Sequence, residues 1–258
     1  MWNADPAVWD FHAPILFPHC GKLYGGEFEA KGKTYPMIPH GFARLMEHTL
    51  VKQTENMLIL QLESSPETLE KWPYEFCLTS TITLENDTVH QTLTVENRDE
   101  GKMHFGIGYH PAFAIPFDEK HHYSDYELRF DAVESPICLK TPRGLITGET
   151  YHLGKNITAI PIDDQLFAND SHCMVGLQSK TLGLYEKDTG RAVVCNIEKF
   201  PYCLLWSKEG QPHFVCIEPW NSLPSLECSS TKWEDKPAAA ILNPGESWST
   251  TLTTSFVR

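Results

Sequence analysis

Leu78-Thr79-Ser80-Thr81-Ile82-Thr83-Leu84-Glu85-Asn86-Asp87-Thr88-Val89-His90-Gln91-Thr92-Leu93-Thr94-Val95 repeats with a period of two. Leu78, Ser80, Ile82 and Leu84 alternate with Thr79, Thr81 and Thr83. After Glu85-Asn86-Asp87 the alternation resumes, with Val89, Leu93 and Val95 set against Thr88, His90, Thr92 and Thr94. That period places successive side chains on opposite faces of an extended chain, and β-branched threonine suits a pleated, half-solvated face. Two such runs around a short Asn-Asp turn predict a β-hairpin. Working outward, short strands are expected at 57–62, 126–130, 191–197, 214–217 and 250–256, and the apolar run Phe105-Gly106-Ile107-Gly108-Tyr109 also reads as a strand. The 18 prolines and 16 glycines punctuate them. Helix is scarce. Its best case is Ser65-Pro66-Glu67-Thr68-Leu69-Glu70-Lys71, where Ser65 can cap, Pro66 fits the first helical position and Glu67 suits the positive end. The expected fold class is all-β, a large antiparallel β-sandwich forming a single domain over 1–258, with two stacked β-domains as the alternative. The opening Met1-Trp2-Asn3-Ala4-Asp5-Pro6 offers no strand. A sandwich lacking its first strands is therefore expected, with an open sheet edge suited to a homodimer.

The formal net charge of -13, from 34 acidic and 21 basic residues, leaves no basic stripe to neutralise phosphates. Nucleic acid is excluded as a partner, and an anionic membrane surface is disfavoured for the same reason. No apolar stretch approaches the ~20 residues of a membrane span. None of the eight cysteines forms a C-x-x-C pair, and Cys77, Cys195 and Cys216 lie in apolar, strand-like runs. They are expected as reduced, buried thiols of a cytoplasmic protein. His121-His122, near Asp118, Glu119 and Asp125, matches no metal spacing and reads as a solvated loop. No nucleophile elbow, P-loop or dinucleotide fingerprint occurs, so neither a metal nor a cofactor is expected.

Three blocks carry the chemistry. In His40-Gly41-Phe42-Ala43-Arg44, glycine permits a tight bend that can turn His40 and Arg44 toward one pocket. The bland alternative is a turn whose histidine caps a backbone group. In Gly108-Tyr109-His110-Pro111-Ala112-Phe113, His110 ends an apolar strand and suits general acid–base work near neutrality, unless it is a satisfied core histidine. In Cys216-Ile217-Glu218-Pro219-Trp220, Glu218 leaves the same face as Cys216 and Phe214. Burial there raises a carboxylate's pKa, unless a salt bridge relieves it. Asp164 can position a ligand hydroxyl, or Asp163-Asp164 can cap the following element. Trp206, Trp220 and Phe113 offer flat rings for a sugar face or for the core.

In this order the blocks, together with Asp5-Pro6-Ala7-Val8-Trp9, Ala13-Pro14-Ile15-Leu16-Phe17-Pro18 and Gly32-Lys33-Thr34-Tyr35-Pro36-Met37, resemble the aldose 1-epimerase (galactose mutarotase-like) family, most closely its LacX-like branch. The resemblance implies a β-supersandwich and a cofactor-free isomerase that interconverts the α and β anomers of a free hexose such as galactose or glucose. It implies Glu218 as base and His110 as acid, with His40 and Arg44 holding the sugar's hydroxyls; Phe113, Asp164, Trp206, Trp220 and Lys22 are the further expected substrate contacts. Lys22 stands where relatives often carry arginine, and the histidine block reads His-Pro-Ala-Phe rather than His-Pro-Tyr-Phe. The competing readings are a non-catalytic carbohydrate-binding or regulatory protein and a hexose-6-phosphate 1-epimerase. A lyase or hydrolase is weaker, since a hydrolase needs a second placed carboxylate.

Overall fold

A computed structural model describes residues 1–210 and 212–258. The threonine-rich stretch forms a hairpin of strands Phe76–Glu85 and Thr88–Asn97, in register from Phe76 opposite Asn97 to Glu85 opposite Thr88. Asn86 makes the turn at φ 53, a left-handed conformation asparagine tolerates. Leu78, Leu93 and Val95 are buried at the hairpin base, whereas Leu84 at its tip is exposed.

The described residues divide into two compact units. The hairpin belongs to the unit made of Ile15–Gly108 and Asn221–Thr253. Within it, Met57–Glu63 pairs with Phe76–Glu85, and Thr49–Gln53 forms the edge. On the other side, residues 247–253 flank Thr88–Asn97, where the Thr92 and Thr251 hydroxyls meet at 2.8 Å. The helix is Pro66–Lys71. The Ser65 hydroxyl accepts the Thr68 N–H and the Thr68 hydroxyl accepts the Ser65 N–H at 2.8 Å. Such a reciprocal cap contributes about 1 kcal/mol.

The other unit comprises Met1–Pro14, Tyr109–Trp220 and Thr254–Arg258. One sheet in it runs Ile157–Pro161, Tyr126–Glu134, Thr181–Glu186, Ala192–Asn196 and then residues 254–257. A second runs Thr150–His152, Ile137–Leu139, His172–Val175, Tyr202–Trp206, Phe214–Trp220 and Ala112–Ala114. All of these pairings are antiparallel, and every strand expected from the alternation is present.

Two local expectations need correction. The run from Phe105 to Tyr109 is not one strand: Met103–Phe105 and Gly108–Tyr109 are separate. Between them Gly106 passes so close to Ser222 and His19 that a Cβ would clash, and its N–H goes to Pro18 O at 2.6 Å. Glu218 does not end its strand either; Phe214–Trp220 continues two residues beyond it. Among the described residues, no helix is long and apolar enough to cross a membrane.

Candidate active site

The register of Ala112–Ala114 on Phe214–Trp220 places Ala112 opposite Cys216. Carried back two residues along the antiparallel pair, the same register sets His110 opposite Glu218. Their side chains meet there, with His110 Nε2 at 3.3 Å from Glu218 Oε2. Both residues are buried, His110 at 7% exposure and Glu218 at 2%. Pro111 stiffens the chain between His110 and the short strand, which helps fix the ring's position.

Alternation supplies the surroundings. Phe214, Cys216, Glu218 and Trp220 share one strand face, and Trp206 lies opposite Cys216 on the neighbouring strand. Trp206 meets the His110 ring edge-on at 5.6 Å between centroids. Trp9 stacks on that ring at 5.1 Å, meets Trp206 edge-on at 5.3 Å and also stacks on Phe214 at 5.3 Å. Trp9 is held by a local turn in which Asp5 O accepts its N–H at 2.8 Å and the Asp5 carboxylate accepts the Ala7 N–H. The Trp2 indole then donates to Trp9 O at 2.9 Å. Trp220 Nε1 donates to Tyr109 O at 3.2 Å, which ties together the two strand ends that carry Glu218 and His110.

Little in this setting compensates a negative charge. Burial pushes the Glu218 carboxyl well above the usual carboxylate range, and the negative charge of Asp170 adds to the rise; a hydrogen bond from the Trp220 side chain opposes it. A carboxyl held this way is a stronger base once ionised, and an imidazole nitrogen lies 3.3 Å from it.

Not every expected residue gathers at this pair. Phe113 leaves the opposite face of its strand, opposite Val215, and lines a cavity of about 310 Å³ with Phe117, Arg191, Val193 and Phe256. Its position one residue from Ala112 forces that, because the side-chain period is two. Asp164 is exposed and accepts the Tyr123 hydroxyl proton. Asp163 caps instead, accepting the N–H groups of Gln165 and Leu166 at 2.9 Å.

Lys22, His40 and Arg44 come together within the other unit. His40 is left-handed at φ 68, and its Nδ1 accepts the Gly21 N–H at 3.2 Å. Gly41 at φ 70 is obligatory, since a Cβ there would strike the Phe17 carbonyl. Burial, then the charges of Arg44 and Lys22, hold the His40 pKa down to about 3. His40 is thus neutral at physiological pH, flanked by two cations. Arg44 also donates to Pro39 O at 3.0 Å. The residues missed in the sequence are Trp9 and Asp170. The Asp-Pro-x-x-Trp turn was a usable signal for Trp9, whereas nothing near Asp170 in sequence points to Glu218.

His121 is not in a merely solvated loop. Its Nδ1 is 2.6 Å from Asp118 Oδ1 and 3.5 Å from Glu186 Oε1, and Arg191 bridges both carboxylates at 2.6 and 2.7 Å.

Two antiparallel sheets thus frame a buried carboxylate–imidazole pair walled by indoles. A model of the family described as "Aldose 1-epimerase" matches residues 1–255. The chromosomal LacX protein of Lactococcus lactis subsp. lactis is 32% identical over 254 residues, covering 95% of this chain and 85% of that protein. A galactose mutarotase related enzyme from Lactobacillus acidophilus superposes with a TM-score of 0.94 at 25% identity, covering 100% of this chain and 87% of the other. A galactose mutarotase-like protein from Lactobacillus casei ATCC 334 gives 0.90 at 27% identity, with coverage of 99% and 88%. The chain belongs to the aldose 1-epimerase family.

Proposed function

We propose that the protein interconverts the α and β anomers of a free hexose, with Glu218 as general base and His110 as general acid. In the forward step Glu218 takes the proton of the anomeric hydroxyl and His110 protonates the ring oxygen. The bond from C1 to the ring oxygen breaks and C1 becomes the aldehyde carbon. Rotation about C1–C2 presents the other carbonyl face. The ring then closes as His110 recovers its proton and Glu218 returns the one it took. No net proton is consumed over the cycle. Trp206 and Trp9 offer apolar ring faces beside the pair, and holding the C–O unit against both groups supplies the remaining catalysis.

The observation that carries this reading is the 3.3 Å approach of His110 to Glu218 in a buried, indole-walled setting. A reducing cytoplasm is the proposed compartment, supported by eight free cysteines of which seven are buried. Polarimetry on glucose, galactose and their 6-phosphates tests the reading. The phosphates belong in the panel because two cations flank His40. Acceleration of anomer exchange for a free hexose is the expected result. Sugar-induced quenching of Trp fluorescence without acceleration would instead mark a binding protein.

A further inference from the structure

The acid–base pair has a third neighbour that the proposed reaction does not use. Cys216 lies two residues before Glu218 on the Phe214–Trp220 strand, so both side chains leave the same face. A ring nitrogen of His110, Sγ of Cys216 and a carboxylate oxygen of Glu218 all lie within 4.8 Å of one another, and all three residues are buried. The nitrogen and oxygen are 3.3 Å apart. Zinc bonds of about 2.0–2.2 Å at a tetrahedral angle set such a pair of ligands about 3.3 Å apart.

We propose that His110, Cys216 and Glu218 form a binding site for a thiophilic divalent cation, Zn²⁺ first, and that occupancy blocks anomer exchange. One nitrogen, one sulfur and one oxygen make a borderline-soft donor set, with the fourth tetrahedral position left to water or a sugar oxygen. Magnesium and calcium fit poorly, because they take about six or more oxygen ligands. As the sulfur–metal bond forms, the thiol proton passes to solvent, and no electron changes hands. With the metal in place, the His110 nitrogen and the Glu218 oxygen that bind it are no longer open to exchange a proton with a sugar.

Among the described residues, the other cluster of this kind, Asp118, His121 and Glu186, is already served by a cation. Arg191 donates to both carboxylates there, and a metal would have to displace it.

The blocking half of the proposal rests on the epimerase reading; the binding half does not, and the experiment separates them. The purified chain, stripped with EDTA and free of sugar, is titrated with Co²⁺. The expected result is a sulfur-to-cobalt charge-transfer band that saturates at one equivalent and is displaced by Zn²⁺. Cys216→Ser should abolish the band, whereas Cys228→Ser, which removes the exposed thiol, should keep it. Outer partners of metal sites are worth about 10–100-fold in affinity, so loss of the Cys216 ligand should weaken Zn²⁺ at least that much. Circular dichroism checks that Cys216→Ser is folded, and His110→Asn supplies a second ligand deletion. In the anomer-exchange assay, Zn²⁺ should inhibit the wild type reversibly with EDTA and spare Cys216→Ser. A band that is absent, or one that survives both ligand deletions, overturns the site. A saturable band with exchange unaffected by Zn²⁺ overturns the blocking claim.

Discussion

Two carboxylates in the same unit, Glu218 and Glu186, are both buried beside a histidine, yet their surroundings push them in opposite directions. Glu186 is saturated: Arg191 Nε donates to it at 2.9 Å, the Arg191 terminal nitrogen at 2.7 Å, Tyr126 OH at 2.5 Å, and Thr189 OH as well. Its pKa is held down to about 2, with the Arg191 bonds as the leading cause. Glu218 has an imidazole, indole rings and a thiol for company, and burial drives its pKa up. Burial with full compensation makes a structural anchor. Burial with little compensation makes a reactive group whose ionised form the fold disfavours.

The largest effect should come from Glu218→Gln. Proton transfer by one placed group contributes about 10²–10⁴-fold, so anomer exchange should drop by about that factor. Stability should move the other way. A carboxyl whose folded pKa exceeds its unfolded value of about 4.3 contributes stability that is present below that value and lost as pH rises through the folded pKa. Glutamine mimics the protonated form, so the variant's Tm at neutral pH should equal or exceed that of the wild type in calorimetry. A fall of several degrees would erase the distinction between the two carboxylates.

Arg191→Gln should show the reverse pattern, with a lower Tm and a wild-type exchange rate. Glu186, with its depressed pKa, contributes stability that is present above about 4.3 and lost as pH falls through the folded value. Acid unfolding followed by circular dichroism should therefore begin at higher pH in this variant. If Arg191→Gln instead slows exchange without lowering the Tm, the network is not a separate anchor.

Trp206→Leu should have the smallest effect. Loss of one aromatic contact beside His110 is worth about 1 kcal/mol, or roughly fivefold, and should appear mainly in KM. An unchanged KM would remove Trp206 from the sugar's surroundings.

The all-β architecture was legible because Thr79, Thr81, Thr83, Thr92 and Thr94 mark one face of adjacent strands so regularly. His110 and Glu218 were legible as chemical types, but their meeting depends on pairing Ala112 with Cys216, about a hundred residues apart, which no local pattern encodes. Asp170 reaches Glu218 only electrostatically and was invisible for the same reason. The partners that turn His121 from a loop residue into part of an ion network, Glu186 and Arg191, are also distant in sequence. Phe113 is different. Counting two residues at a time from Ala112 would have put it on the far face, so local alternation was informative there and the motif overrode it.

The pH dependence of wild-type anomer exchange, followed by NMR of free galactose or glucose with carboxyl-labelled glutamate in the protein, bears most directly on the contrast between the two carboxylates. The exchange rate should rise with pH through a midpoint well above about 4.3, in step with ionisation of a carbon resonance that is missing from Glu218→Gln. A rate already maximal near the ordinary carboxylate pKa, or exchange undiminished in Glu218→Gln, would contradict the assignment of Glu218 as the base.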